Sequence, residues 1–199
     1  MNETILNHYF NVGKYNHPSM IGYVMDAIRI CKPITKAEWE LYYFKNIRSQ
    51  DHVRGLSVRM AKGIPDENNM SRDECYEYIK DVIIRRTFNG YNKEKQALKI
   101  LKERVSDSIV ESSREWDSKY FIDFCFRSKG GKIIGIQLKP ETFYLGNYED
   151  KVDIEEKLKQ FRERYDAMTF VLIYSKDSAN NIHFTNQEVI EHIKAYNTI

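Results

Sequence analysis

Cysteine and proline are scarce, with three of one and four of the other in 199 residues. Cys31, Cys75 and Cys125 lie far apart and share no CxxC or Cys/His spacing. That excludes a recognisable zinc motif and a disulfide framework, and fits a reducing cytoplasm. Pro18, Pro33, Pro65 and Pro140 are isolated, no segment is low-complexity and no repeat occurs, so nothing marks a flexible linker. One continuous domain over 1–199 is expected. No stretch approaches the roughly 18 apolar residues of a membrane span, and no basic start leads into an apolar run. The expectation is a chain with no membrane partner. The phosphate-loop, dinucleotide and serine-hydrolase patterns GxxxxGK[ST], GxGxxG and GxSxG are missing, and the five histidines are scattered.

Charge is plentiful but nearly balanced: 30% of residues are charged, for a net +2. A polyanion partner therefore has to be sought in the distribution. Between Lys45 and Arg104, fourteen Lys/Arg stand against nine Asp/Glu.

The first half reads as helical. Thr35-Lys-Ala-Glu38, Ser71-Arg-Asp-Glu74 and Thr185-Asn-Gln-Glu188 have the form of capping boxes, predicting helices over 36–47, 72–87 and 186–196. Further helices are expected over 18–31, 51–62, 92–112 and 152–166, with Asn89-Gly90 breaking the long 72–112 stretch as a loop. The second half changes character. Segments 120–126 and 132–139 are rich in β-branched and aromatic residues and flank the basic turn Arg127-Ser-Lys-Gly-Gly131, which predicts a hairpin. The apolar run 169–174 predicts a buried strand, set parallel beside the hairpin by a crossover through the 152–166 helix. The fold class expected is α/β (α+β): a mixed β-sheet flanked by helices, with 1–90 helical and 91–199 carrying the sheet.

Alternation along Lys132–Lys139 puts Ile134, Ile136 and Leu138 on one face and Gly135, Gln137 and Lys139 on the other. In the partner strand Asp123 faces with Phe121 and Cys125, opposite Ile122, Phe124 and Phe126. A carboxylate among so many apolar neighbours requires a cation, a metal or several donors. Hairpin pairing brings Asp123 near Gln137 and Lys139. Hard oxygen ligands with a nearby ammonium suit Mg²⁺-assisted phosphodiester hydrolysis.

Asp123 followed by Gln137-Leu138-Lys139, inside this order of elements, resembles the signature of the PD-(D/E)XK nucleases. Two departures stand out: Ile122 occupies the place of the name-giving proline, and Gln137 that of the usual acid, which leaves the metal site one charge short. The resemblance implies Asp123, Gln137 and the Leu138 carbonyl as metal ligands and Lys139 as the group assisting the nucleophile. It also implies a carboxylate from the preceding helix, sought at Glu111 or Glu115 with Asp107 as a further candidate. The helical front half and the ending Ile136-Gln-Leu-Lys-Pro140 resemble type II restriction endonucleases, most closely the MjaI-like group. That implies a homodimer cutting both strands of double-stranded DNA at a short specific sequence. A noncatalytic DNA-binding protein on the same scaffold and a structure-specific or RNA nuclease are the alternatives. Residues with the chemistry to contact DNA are Arg48, Arg54, Arg59, Lys62, Arg85, Arg86, Asn89 and Lys93.

Overall fold

The computed structural model describes residues 2–145 and 148–198. The chain divides into two compact units, Met1–Asn92 and Lys93–Ile199.

The first unit is helical. Its elements are α1 (Glu3–Val12), α2 (Pro18–Ile21), α3 (Val24–Cys31), α4 (Lys36–Asn46), α5 (Gln50–Gly63) and α6 (Arg72–Asp81). Two of the three capping boxes form: the Thr35 and Ser71 hydroxyls accept from the Glu38 and Glu74 amides, and the glutamates reach back. The predicted 18–31 helix is two helices, because Gly22 takes φ 80° and ψ 176°, a conformation reserved for glycine. Leu6, Ile28, Trp39, Tyr43, Val53, Leu56, Tyr78 and Ile83 are fully buried in the shared core. The polar tips of its aromatic residues are satisfied, with Trp39 Nε1 donating to the Ile83 carbonyl (3.0 Å) and the Tyr43 hydroxyl to that of Ile21 (2.9 Å).

The predicted break at Asn89-Gly90 is absent. After α6 the chain makes a π-helical turn over Val82–Arg86 and continues as α7 (Thr87–Arg104), so Asn89 and Gly90 are helical. Buried Thr87 and Tyr91 anchor that turn on either side of them, and packing outweighs the low helix propensity of the pair. In contrast, α7 stops at Arg104, short of the expected 112. The Ser106 and Ser108 hydroxyls bond to each other at 2.8 Å and Ser106 accepts from the Ser108 amide, a local turn that competes with the helix.

In the second unit, five strands form one sheet in the order β1 (Val110–Glu111), β2 (Phe124–Arg127), β3 (Ile133–Pro140), β4 (Met168–Lys176), β5 (Ile182–Phe184). The β2–β3 hairpin is antiparallel with Phe124 opposite Ile136, and β4 runs parallel to β3, as expected of a strand reached through a crossover. The remaining helices are α8 (Arg114–Tyr120), α9 (Tyr148–Tyr165), which makes that crossover, and α10 (Gln187–Thr198). The third capping box is not made: α10 begins at Gln187, and the Thr185 hydroxyl donates to the Ile173 carbonyl. Helices cover both faces of the sheet. Ala97 and Leu101 of α7 and Ile190 and Ile193 of α10 pack on Phe124, Phe126, Ile134, Ile136 and Leu172. Leu158 and Phe161 of α9 pack with Tyr120, Ile122 and Cys125 on the other. The fold is thus the mixed, helix-flanked sheet with a helical front half that the patterning predicts. Among the described residues no helix is long and apolar enough to cross a membrane.

Strand β2 begins four residues later than expected, and this corrects one facing. Ile122 lies in the Phe161 cluster, away from Phe124 and Phe126; a Cβ on Gly135 would meet its Cδ1 at 2.9 Å. The cause is Phe121, which closes α8 in the left-handed region at φ 59°, so strict alternation does not reach back to Ile122.

Candidate active site

Asp123 is held from both sides before β2 begins. Its amide donates to the Ile136 carbonyl (2.9 Å) and its carbonyl accepts from Ser112 (2.9 Å). The side chain then takes the place of a ladder carbonyl: Oδ2 accepts from the Leu138 amide at 2.6 Å and from Gln137 Nε2 at 2.7 Å. Hairpin register therefore does bring Asp123 onto Gln137, and it does so through the carboxylate itself.

Protein surrounds this carboxylate closely. Burial pushes its pKa up to about 7; the Leu138 amide works against that rise, the charges of Glu94 and Asp117 add to it, and Lys139 opposes it. Gln137 is only 4% exposed, and its Oε1 is buried with no hydrogen-bond partner among the described residues. With the carboxylate ionised its orientation follows from chemistry, because only the amide nitrogen can then donate to Oδ2. The carbonyl oxygen is thereby left facing protein without a donor. An orphaned buried acceptor costs about 1–3 kcal/mol and calls for an explanation.

Lys139 extends from the same strand, its Nζ 5.8 Å from the centre of the Phe121 ring and 5.4 Å from that of Phe143. Glu111 lies in edge strand β1 opposite Phe124, so its side chain shares the face of Phe124. Glu115 is exposed on α8, where its charge acts on Arg164, and Asp107 is exposed in the turn after α7. The acids acting on Asp123 are thus Glu94 and Asp117, neither of which the sequence reading singled out. A signal for Glu94 exists: it falls in the row Tyr91, Glu94, Ala97, Leu101, an acid in an otherwise apolar stripe at helical spacing. Among the described residues no three His, Cys, Asp or Glu side chains cluster as a metal site.

The basic residues of the first unit are occupied to different degrees. Arg48 donates to the carbonyls of Pro18, Ser19, Met20 and Ile47, latching α2. Arg85 pairs with Asp81, and Arg86 with Asp81 and Glu3, both at 2.9 Å. Arg54 is exposed, 5.8 Å from the centre of the Tyr76 ring, and Arg59 and Lys62 are exposed one turn apart on α5. Asn89 is half-buried on α7. Lys93 lies in the second unit, 5.6 Å from the centre of the Tyr174 ring.

Comparison with curated proteins and with solved structures finds no match. The sequence profile of the MjaI restriction endonucleases matches residues 3–191, nearly the whole chain. The chain belongs to the MjaI restriction endonuclease family, a family of DNA endonucleases.

Proposed function

We propose that this endonuclease is a Mg²⁺-dependent enzyme of the PD-(D/E)XK type, cutting both strands of double-stranded DNA at a short specific sequence as a homodimer. The observation that carries the reading is the pairing of Asp123 with Gln137, which leaves Gln137 Oε1 buried without a donor. A hard divalent cation suits this donor set. A carboxylate whose proton is held to about pH 7, an orphaned amide oxygen and the Leu138 carbonyl are oxygen ligands of the kind Mg²⁺ takes. When bound, the cation polarises the scissile phosphate and lowers the pKa of a water.

The chain's own residues supply the rest. Asp123, fixed by two amide donors, presents its carboxylate in one orientation, and it must shed its proton to act as a ligand. Lys139, seated against Phe121 and Phe143, orients the attacking water and offsets negative charge growing on the phosphate oxygens. The water oxygen bonds to phosphorus as the ester P–O bond breaks; the attacking water releases one proton to solvent, and the leaving oxygen takes one up from solvent. Because Gln137 is neutral, a further acid is required near the cation; Glu94 and Asp117, whose charges act on Asp123, join Glu111 and Glu115 as candidates. Exposed Arg54, Arg59 and Lys62 supply phosphate contacts in the first unit.

Incubation of the protein with unmodified plasmid and phage DNA, in Mg²⁺ and in EDTA, tests the activity. Discrete Mg²⁺-dependent bands are expected. Intact DNA with a gel shift still present would favour the noncatalytic reading. Asp123→Ala and Lys139→Ala should each reduce cleavage on the order of 10³-fold or more while the protein stays folded. Retained cutting in either would sink the site.

A further inference from the structure

We infer that Lys93 and Lys176 form a paired-ammonium site for one backbone phosphate of duplex DNA, beside the carboxyl end of β4; this rests on the nuclease reading above.

The two lysines neighbour Tyr174 from different elements of the second unit. Lys93, on α7, places its Nζ 5.6 Å from the centre of the Tyr174 ring. Tyr174 and Lys176 are two residues apart in β4, so their side chains leave the same face of the strand. Lys176 is held there by Asn180, whose Oδ1 accepts from its Nζ at 2.7 Å and which adopts φ 65° in the β4–β5 turn. Among the described residues no carboxylate contributes to the shift of the Lys176 ammonium. Partial desolvation, followed by the adjacent Lys93 ammonium, lowers the Lys176 pKa below the usual lysine value. Two like charges brought together without a counter-ion disfavour the charged state, and an anion shared between them removes the conflict.

The neighbourhood says which anion. Tyr174 is buried, which raises its hydroxyl pKa, and the charges of Asp123 and Glu94 add to that rise. The ring therefore stands close to the acids of the candidate active site as well as to the lysines. Those acids repel a DNA backbone, and an adjacent pair of cations offsets the repulsion for a phosphate near the one being cut. Lys176 is exposed and Lys93 half-buried, so the pair faces outward, as suits a polymer's phosphate.

The test is binding of a mixed-sequence duplex of about 20 base pairs, in EDTA so that nothing is cut, over a range of salt concentrations. Each neutralised phosphate contact contributes about 0.9 to the slope of log K against log salt. Lys93→Gln and Lys176→Gln should each flatten the slope by about that amount, whereas Lys159→Gln, an exposed lysine paired with Glu163 on α9, should leave it unchanged. Unchanged slopes in the two variants, with wild-type binding intact, would overturn the site, as would an equal loss in the Lys159 variant. Displacement of the duplex by inorganic phosphate at constant ionic strength would reassign the pair to free phosphate. No binding of duplex by the wild type at any salt concentration removes the nuclease reading itself, a failure distinct from the others.

Discussion

Gln137 is where this chain departs most from the signature it resembles, and its consequences are measurable. Replacing it by glutamate places a second carboxylate 2.7 Å from Asp123 in a buried setting, where both cannot ionise without a cation. At pH 8 in EDTA, Gln137→Glu should lower Tm on the order of 5 °C, and Mg²⁺ should restore more of it than it adds to wild type. Equal Tm values in EDTA would mean that the two side chains are not in contact. Asp123 has a signature of its own. Folded, it keeps its proton to about pH 7; unfolded, it loses it near the ordinary carboxylate value of about 4. The folded state binds the extra proton between those limits, so stability falls as pH rises through that window. In EDTA, denaturant titrations should find Asp123→Asn gaining on wild type from pH 5 to 8, by several kcal/mol at the upper end since one unit is about 1.4 kcal/mol. A pH-independent difference would refute the burial argument. Asp123, Gln137 and Lys139 are legible as neighbours in the sequence because Asp123 immediately precedes β2 and the other two lie in its hairpin partner β3, where side chains alternate with a fixed period. Glu94 could not be found that way, because its partners are distant in sequence and only its misfit in an apolar helical stripe marks it.

Elements divide into those set by local signals and those set by packing. The Thr35 and Ser71 boxes, the Gly130-Gly131 turn and the apolar run of β4 are each readable within a few residues. Alternation failed at Ile122, where the left-handed Phe121 intervenes, and the break placed at Asn89-Gly90 gave way to a continuous α7 because burial of Thr87 and Tyr91 is a tertiary fact. α1 and α8 each start at a single capping side chain, Asn2 and Ser113, a weaker signal than a full box, and β1 and β5 are too short to show alternation. Gly22 shows an element boundary fixed by backbone chemistry. A Cβ there would sit 2.4 Å from Ile47 Cγ2, on a residue already at φ 80°. Gly22→Ala should therefore cost about 1–3 kcal/mol in stability, read by thermal or denaturant unfolding. An unchanged midpoint would mean that the α2–α3 junction is less constrained than this geometry requires.

At the scale of the whole molecule, family membership accounts for nearly all of the chain, and the near-zero net charge conceals where cations gather. Arg48, Arg85 and Arg86 illustrate why counting basic residues overstates a DNA surface: carbonyls and carboxylates of the protein already engage them. The proposed homodimer sets one site against each strand, so sedimentation should give twice the chain's mass at micromolar concentration. A monomer that still makes double-strand breaks would overturn the homodimer.

The layer formed by α10 also bears on synthesis. Translation produces Asp123 and the strand carrying Gln137 well before Ile190 and Ile193, which complete the apolar layer over Phe124 and Ile136. The helical unit has its own core and can fold as it emerges, whereas that face of the sheet, covered in part by Ala97 and Leu101 of α7, is completed only by α10. A nascent chain is thus built in an order that leaves Phe124 and Ile136, beside the candidate site, without their full apolar cover until α10 has been made.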